Sequence, residues 1–173
     1  MKKRFVTIII IVIILLATPF AALAQSYSFS LDKENVIVFL NEDGSISLDY
    51  TFVFTNDSGA HEIDFVDIGM PNGSFDLDST SAEVNGIPVD VSAADYQGNG
   101  SGFAVVLGTE SIQPGQTGTV HVTVGKIISV LNSDSQDAKY ASFEFTPTWF
   151  GSDFVHGNTD LSVAFHLPPG IQA

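Results

Sequence analysis

The stretch VFLNEDGSISLDYTFVF, residues 38–54, decides the fold. From Ile46 onward, Ile46, Leu48, Tyr50, Phe52 and Phe54 fall on one side of an extended chain, and Ser47, Asp49, Thr51, Val53 and Thr55 on the other. Successive side chains of an extended chain point to opposite faces, so this pattern predicts a strand with one buried and one wet face. The run Asn35 to Leu40 before it is apolar on both faces, which predicts a more deeply buried strand. Asn41-Glu42-Asp43-Gly44 joins the two. Gly44 accepts a positive φ, and Asn and Asp tolerate tight bends, so the pair is expected to form a hairpin.

Working outward, the same period recurs. Ile63 and Phe65 alternate with Asp64 before the phase slips at Val66, as a bulge allows. Phe75 and Leu77 alternate with Asp76 and Asp78, and Ala82 to Val84 and Ile87 to Val91 flank an Asn85-Gly86 turn. Phe103 to Leu107 reads as a short buried strand. Val120, Val122 and Val124 alternate with His121 and Thr123, Phe143 and Phe145 with Glu144, and Leu161, Val163, Phe165 and Leu167 with Ser162, Ala164 and His166. Connectors rich in Gly, Pro, Asn and Ser separate these runs; in IQPGQTGTVHVTV the Pro-Gly turn marks a corner between sheets. No helical period, internal repeat or long linker stands out. About eight to ten short strands at this spacing predict an all-β fold, an antiparallel immunoglobulin-like β-sandwich, with a closed barrel as the alternative.

The chain opens MKKRFVTIIIIVIILLATPFAALAQ. Lys2, Lys3 and Arg4 precede an uncharged run to Ala24, and Ala22-Leu23-Ala24 supplies small residues before a cut ahead of Gln25. This is the layout of a secretory signal peptide, residues 1–24, followed by one extracytoplasmic domain, residues 25–173. An uncleaved anchor is the alternative, because about 20 apolar residues can span a bilayer. With no cysteine in the chain, a lipid anchor on Cys is excluded and an exported domain must be held by its core rather than by disulfides.

The whole chain carries a formal charge of −14, and only Lys33, Lys126 and Lys139 follow the leader against 20 acidic residues. Nucleic-acid binding needs Lys and Arg to neutralise phosphates, so that class of partner is excluded, and docking to anionic head groups is disfavoured by the same argument. Contact with a membrane is expected only through an uncleaved leader or a segment beyond Ala173. A carboxylate-rich surface fits cations, neutral sugars or other proteins, and also keeps an exported domain soluble.

No catalytic pattern is complete. There is no Cys and no G-x-S-x-G, the S-x-x-K match Ser30-Leu31-Asp32-Lys33 comes without the S-D-N and K-T-G motifs that accompany it in enzymes, and His61, His121, His156 and His166 make neither H-x-H nor H-E-x-x-H. His121 and His166 fall at polar-face positions, where a solvated imidazole is expected. Asp76 and Asp78 would share a strand face, yet no D-x-[DN]-x-[DN]-G calcium loop appears, so neither metal nor cofactor is expected. Asn56, Asn72 and Asn99 begin N-x-[ST] sequons in expected turns. The richest loop is TPTWFGSDFVHGNTD, residues 146–160, with Trp149, Phe150, Asp153, His156 and Asp160. Aromatics beside carboxylates suit sugar stacking or a protein-binding patch. The plainer expectation is that Trp149 and Phe150 plug one end of the sandwich, since Trp is mostly buried.

The segment SYSFSLDKENVIVFLNEDGSISLDYTFVF resembles the N-terminal ectodomain of bacterial predicted membrane proteins grouped as DUF2207, over roughly residues 27–55. Those also place a strand, an acidic DGS turn and a long alternating strand after a signal peptide. The resemblance implies an extracytoplasmic sandwich joined to later membrane-spanning segments; the family has no established activity, so no functional residues carry over.

Together these readings lead to an expectation of a non-enzymatic exported domain at a bacterial cell surface, an ectodomain or a protein-interaction module. The alternatives are a carbohydrate-binding or carbohydrate-active module using the 146–160 loop, with Asp153 and Asp160 as its carboxylate pair, and a subunit of a surface layer or filament. The partner is then an unknown protein or glycan.

Overall fold

The computed structural model describes residues 26–137 and 139–171. The expected leader, its cut between Ala24 and Gln25, and the chain end at Ala173 lie outside the described residues.

The hairpin around Gly44 is the spine of the fold. Strand β1 (Phe29–Leu40) pairs antiparallel with β2 (Ile46–Asn56) around a turn in which Gly44 has φ 80°. β2 alternates without a break: every inward residue from Ile46 to Asn56 is buried and every outward one is partly exposed. Its rings form a ladder, Tyr50 on Phe52 at 5.2 Å and Phe52 on Phe54 at 5.8 Å between centroids. Burying each such ring contributes about 1.5–3 kcal/mol.

The remaining strands are β3 (Phe65–Met70), β4 (Thr80–Val84), β5 (Ile87–Ser92), β6 (Ser101–Val106), β7 (Thr117–Ile127), β8 (Leu131–Ser133), β9 (Ala141–Phe143), β10 (Val155–His156) and β11 (Asp160–His166). Three of the eleven strands among the described residues are only two or three residues long, hence a higher count than the pattern suggested. The wide layer runs β1-β2-β7-β4-β5, with β10 and then β11 along the far side of β1. The narrow layer is β5-β6-β3. β5 joins the two: Ile87 to Val89 pair with β4, and Asp90 to Ser92 pair with β6. The Asn85-Gly86 turn, with φ of 52° and 84°, makes the β4–β5 hairpin as expected. The Pro-Gly turn likewise stands at a corner, since β6 lies in the narrow layer and β7 in the wide one.

The fold is therefore all-β and sandwich-like. Its core lies between the facing sides of the layers: Val36 and Val38; the β2 ladder; Val120, Val122 and Val124; Ile68 and Phe103. Among the described residues the only helical turns are the 3₁₀ turns Leu77–Ser79 and Gly108–Glu110, and no helix is long and apolar enough to cross a membrane.

Some expectations are corrected. Pairing is antiparallel except at β1, where β10 and β11 both run parallel to it. Phe75 and Leu77 are not in a strand; Asp76 caps the first 3₁₀ turn, its Oδ1 accepting from Asp78 N at 3.1 Å, so the two acids serve a turn rather than one strand face. Asn56 is buried, its side chain donating to the His61 and Ile112 carbonyls at 2.9 Å each, so that sequon is closed in the folded chain. β11 alternates in sequence, yet all seven of its residues are exposed. Phe39 of β1, expected deep, is also exposed and lies against the His166 ring at 5.0 Å.

Candidate functional site

The narrow layer ends at β3, and among the described residues one side of β3 has no strand against it. Which peptide groups face that side follows from one bond. Leu107 N donates to Asp64 O at 2.9 Å, so the peptide groups of Val66, Ile68 and Met70 point to β6. By antiparallel alternation those of Phe65, Asp67 and Gly69 point outward.

Along this edge runs a cleft of about 950 Å³. One wall is the segment 144–151, which passes β3 in extended form without joining a sheet. Its side chains alternate. Thr148 is buried, its hydroxyl 3.5 Å from Gly69 O. Phe150 packs edge-on against Phe29, Phe52 and Phe54 at 6.0, 6.1 and 5.4 Å. Trp149, between them, is turned to solvent and 76% exposed at the cleft mouth.

The facing wall is the loop 93–100. The Tyr96 ring lies directly on Gly102 of β6, where a Cβ would collide with Tyr96 Cζ and with Ile68 O. Only glycine permits that approach. Gln97 N donates to Asp67 Oδ2 at 3.1 Å, while Asp67 Oδ1 is buried with no partner among the described residues. Burial holds this carboxyl above the ordinary carboxylate range, against the opposing effect of the loop's backbone donors. Tyr27 closes one end: its hydroxyl donates to Asp64 Oδ1 at 2.5 Å and its ring meets Phe65 and Phe154 edge-on at 5.7 and 6.5 Å. Burial, then the bond to Asp64, pushes that phenol far up. At the rim, Asn72 donates to the Ile128 and Ser129 carbonyls at 3.0 and 3.2 Å, holding Ser129 at φ 60°.

The five residues singled out in the 146–160 loop are thus divided. Trp149 and Phe150 line the cleft, one as an exposed lip and one as wall and core together. Phe150 therefore does plug the sandwich, and Trp149 does not. Asp153 sits on an exposed turn, and Asp160 begins β11 opposite Lys33. His156, on β10, has Nε2 3.0 Å from both Asp57 oxygens, and the Asp57 carboxyl is held below its ordinary value by Ser28 first and His156 next. Residues missed in the sequence are Tyr27, Asp67 and Tyr96. Asp67 left a trace, an acid in the otherwise apolar run Phe65 to Met70.

Two other polar groups stand apart from the cleft. His121 is not simply solvated: its Nε2 is 3.1 Å from Asp49 and its Nδ1 3.3 Å from Glu83, a bridge over β2, β7 and β4 on the outer face. Glu34 of β1 is buried, its Oε1 without a partner among the described residues, and burial raises its carboxyl to about 7. No group of three or more potential metal-ligating side chains occurs among the described residues.

No family model and no curated protein matches the chain. Among solved structures it is similar to a two-domain M1 zinc metallopeptidase, an E323A mutant bound to L-tryptophan, at 12% identity and TM-score 0.42, over 65% of this chain and 23% of that one. It is also similar to the M1 zinc metallopeptidase from Deinococcus radiodurans, at 13% and 0.42 over 63% and 22%. A third is leukotriene A4 hydrolase from Saccharomyces cerevisiae, at 13% and 0.41 over 68% and 19%. The chain thus spans about a fifth of the length of these proteins.

Proposed function

We propose that this chain is an exported, non-catalytic β-sandwich that binds a partner at a bacterial cell surface, through the cleft beside β3. One observation carries the reading: the chain's single Trp stands 76% exposed at the mouth of a cleft of about 950 Å³. Large apolar side chains are normally drawn into the core, and a mostly solvated indole beside a deep cleft is the kind of group that carries recognition. The leader-like residues 1–24 and the acidic composition support export.

A second reading is favoured by the same residue. An exposed Trp149 that lines the same cleft as Gln97 and Asn99 suits a neutral sugar, which stacks on a ring and hydrogen-bonds to amides.

Because Trp149 is the single Trp, its fluorescence reports on the cleft alone. Fractionation and intact mass of the native gene product test export: loss of residues 1–24 outside the cytoplasm is the expected result. Placing a photo-crosslinker at position 149 on intact cells tests the binding role. A discrete cross-linked partner, absent with the crosslinker on the outer face at Thr123, supports it; no cross-link at 149 removes it.

A further inference from the structure

Resting on that reading and naming the partner's chemistry, we propose that the cleft takes an extended peptide bearing Lys or Arg, which adds to the free edge of β3 as a further strand. Among the described residues no backbone group pairs with the outward peptide groups of Phe65, Asp67 and Gly69. The nearest approach is the Thr148 hydroxyl, 3.5 Å from Gly69 O, too long for a firm bond. Proteins usually shield such an edge with charge, Pro or a covering loop, because it is a template for another strand. Here the covering segment makes no ladder with the edge: residues 144–151 approach it through the Thr148 hydroxyl at Gly69 O, and Pro147 has no N–H to donate.

The shape of the cleft fits a strand better than a compact ligand. β3 contributes Phe65, Val66, Asp67, Gly69 and Met70 to the lining, so the cleft follows the strand nearly from end to end. A six-residue strand extends about 20 Å, and the volume of about 950 Å³ lies at the top of the roughly 300–1,000 Å³ range of small-ligand pockets.

Charge selects the side chains. Asp67 and Glu144 line the cleft with Tyr27 and Tyr96, and no Lys, Arg or His does so among the described residues. Glu144 is exposed. A strand lying on β3 presents every second side chain to the same wall, so alternate Lys or Arg can reach Glu144 and the faces of Trp149 and Tyr96, where a cation is attracted to the ring. Backbone bonds to β3 provide affinity and alternate side chains the specificity, the division found wherever a peptide extends a sheet.

The test selects random linear 12-residue peptides, displayed on phage, against the whole chain. The selected peptides are expected to be enriched in Lys and Arg and to blue-shift Trp149 emission. They are expected to slow amide exchange at Phe65, Asp67 and Gly69 by at least about tenfold, as new backbone bonds do. N-methylation of alternate peptide bonds in one phase abolishes binding, and in the other phase spares it. Glu144→Gln weakens it by about two- to fivefold, the worth of an exposed ion pair. No enrichment, or bound peptides that leave those three amides unchanged, overturns the proposal. If instead an oligosaccharide shifts Trp149 emission, strand addition fails and the partner-binding reading stands. If the crosslinker at 149 also captures nothing on cells, both fail.

Discussion

β2 and β11 have the same alternation in sequence and opposite fates in the fold. In β2, Tyr50 and Phe52 are 0% exposed; in β11, Leu161, Val163 and Phe165 are 53%, 37% and 51% exposed. The register shows that the same face is involved, since Val163 and Phe165 stand beside Val36 and Val38 of β1, both buried. The difference is what lies opposite. β2 is flanked by β1 and β7 and roofed by the narrow layer and Phe150, whereas β11 is the last strand of the wide layer, and the narrow layer is too small to reach it. Phe143 and Phe145 meet the Phe165 ring edge-on at 6.0 and 6.3 Å and leave half of it in water. Alternation reports that a chain is extended and two-faced. It does not report how deep either face lies.

The largest effect that would break this comparison is a truncation at its buried end. Phe52→Ala is expected to cost about 3–5 kcal/mol in denaturant unfolding, because it opens a cavity in a ladder that cannot collapse. Phe165→Ala, measured the same way, is expected to cost only about 1 kcal/mol, since half of the ring is already in water. Equal losses would mean that β11 is covered in solution.

Gly102→Ala comes next, at about 1–3 kcal/mol, the usual range for forcing a side chain into a filled space. The added Cβ would collide with the Ile68 carbonyl and the Tyr96 ring. Replacing Tyr96 by Ala in the same chain should recover part of that loss, because one of the two clashes is then gone.

Glu34 sharpens the comparison along β1. Its carboxyl is raised from 4.5 to about 7 by burial, so the folded chain favours the protonated form. Stability from this group is full below pH 4.5 and drains away as pH rises toward 7, where the unfolded chain has already ionised. Asp43, Asp57 and Glu62 are shifted down and work in the opposite sense, losing stability as pH falls through the ordinary carboxylate range. Urea midpoints at several pH values should therefore peak near the bottom of the Glu34 window. Glu34→Gln should remove most of the decline on the alkaline side, leaving the part owed to Asp67, whose carboxyl is also raised by burial; an unchanged decline would show that Glu34 does not cause it.

The smallest expected effect is Trp149→Ala, within about 0.5 kcal/mol of the parent, as for a surface substitution. Phe150→Ala, one residue on, should cost several times more, because its ring meets three core rings. That contrast within one dipeptide checks whether the segment 144–151 alternates in solution.

Much of the fold was legible. The β1–β2 and β4–β5 hairpins, β7 and the corner before it follow from period-two patterning and from Gly44, Asn85-Gly86 and Pro114-Gly115, where local chemistry suffices. The site was legible only in part. The loop holding Trp149 and Phe150 stood out for its aromatics, but Asp67 and Tyr96 lie far from it in sequence, and His156 and Asp160, which lie within it, face elsewhere. The phase slip at Val66 was visible and its consequence was not. It turns Val66, Ile68 and Met70 inward and leaves Asp67 on the other face, against the 93–100 loop.

By itself, then, the sequence determined which segments are extended, where they turn and which side of each is apolar, because these depend on steric preferences and spacing within a few residues. Which strand became the edge, which apolar face stayed in water, and which distant residues met across the cleft were decided by tertiary structure. Those outcomes depend on how many strands each layer holds and on what packs opposite, and two layers of unequal width leave β3 and β11 unpaired on their outer sides among the described residues.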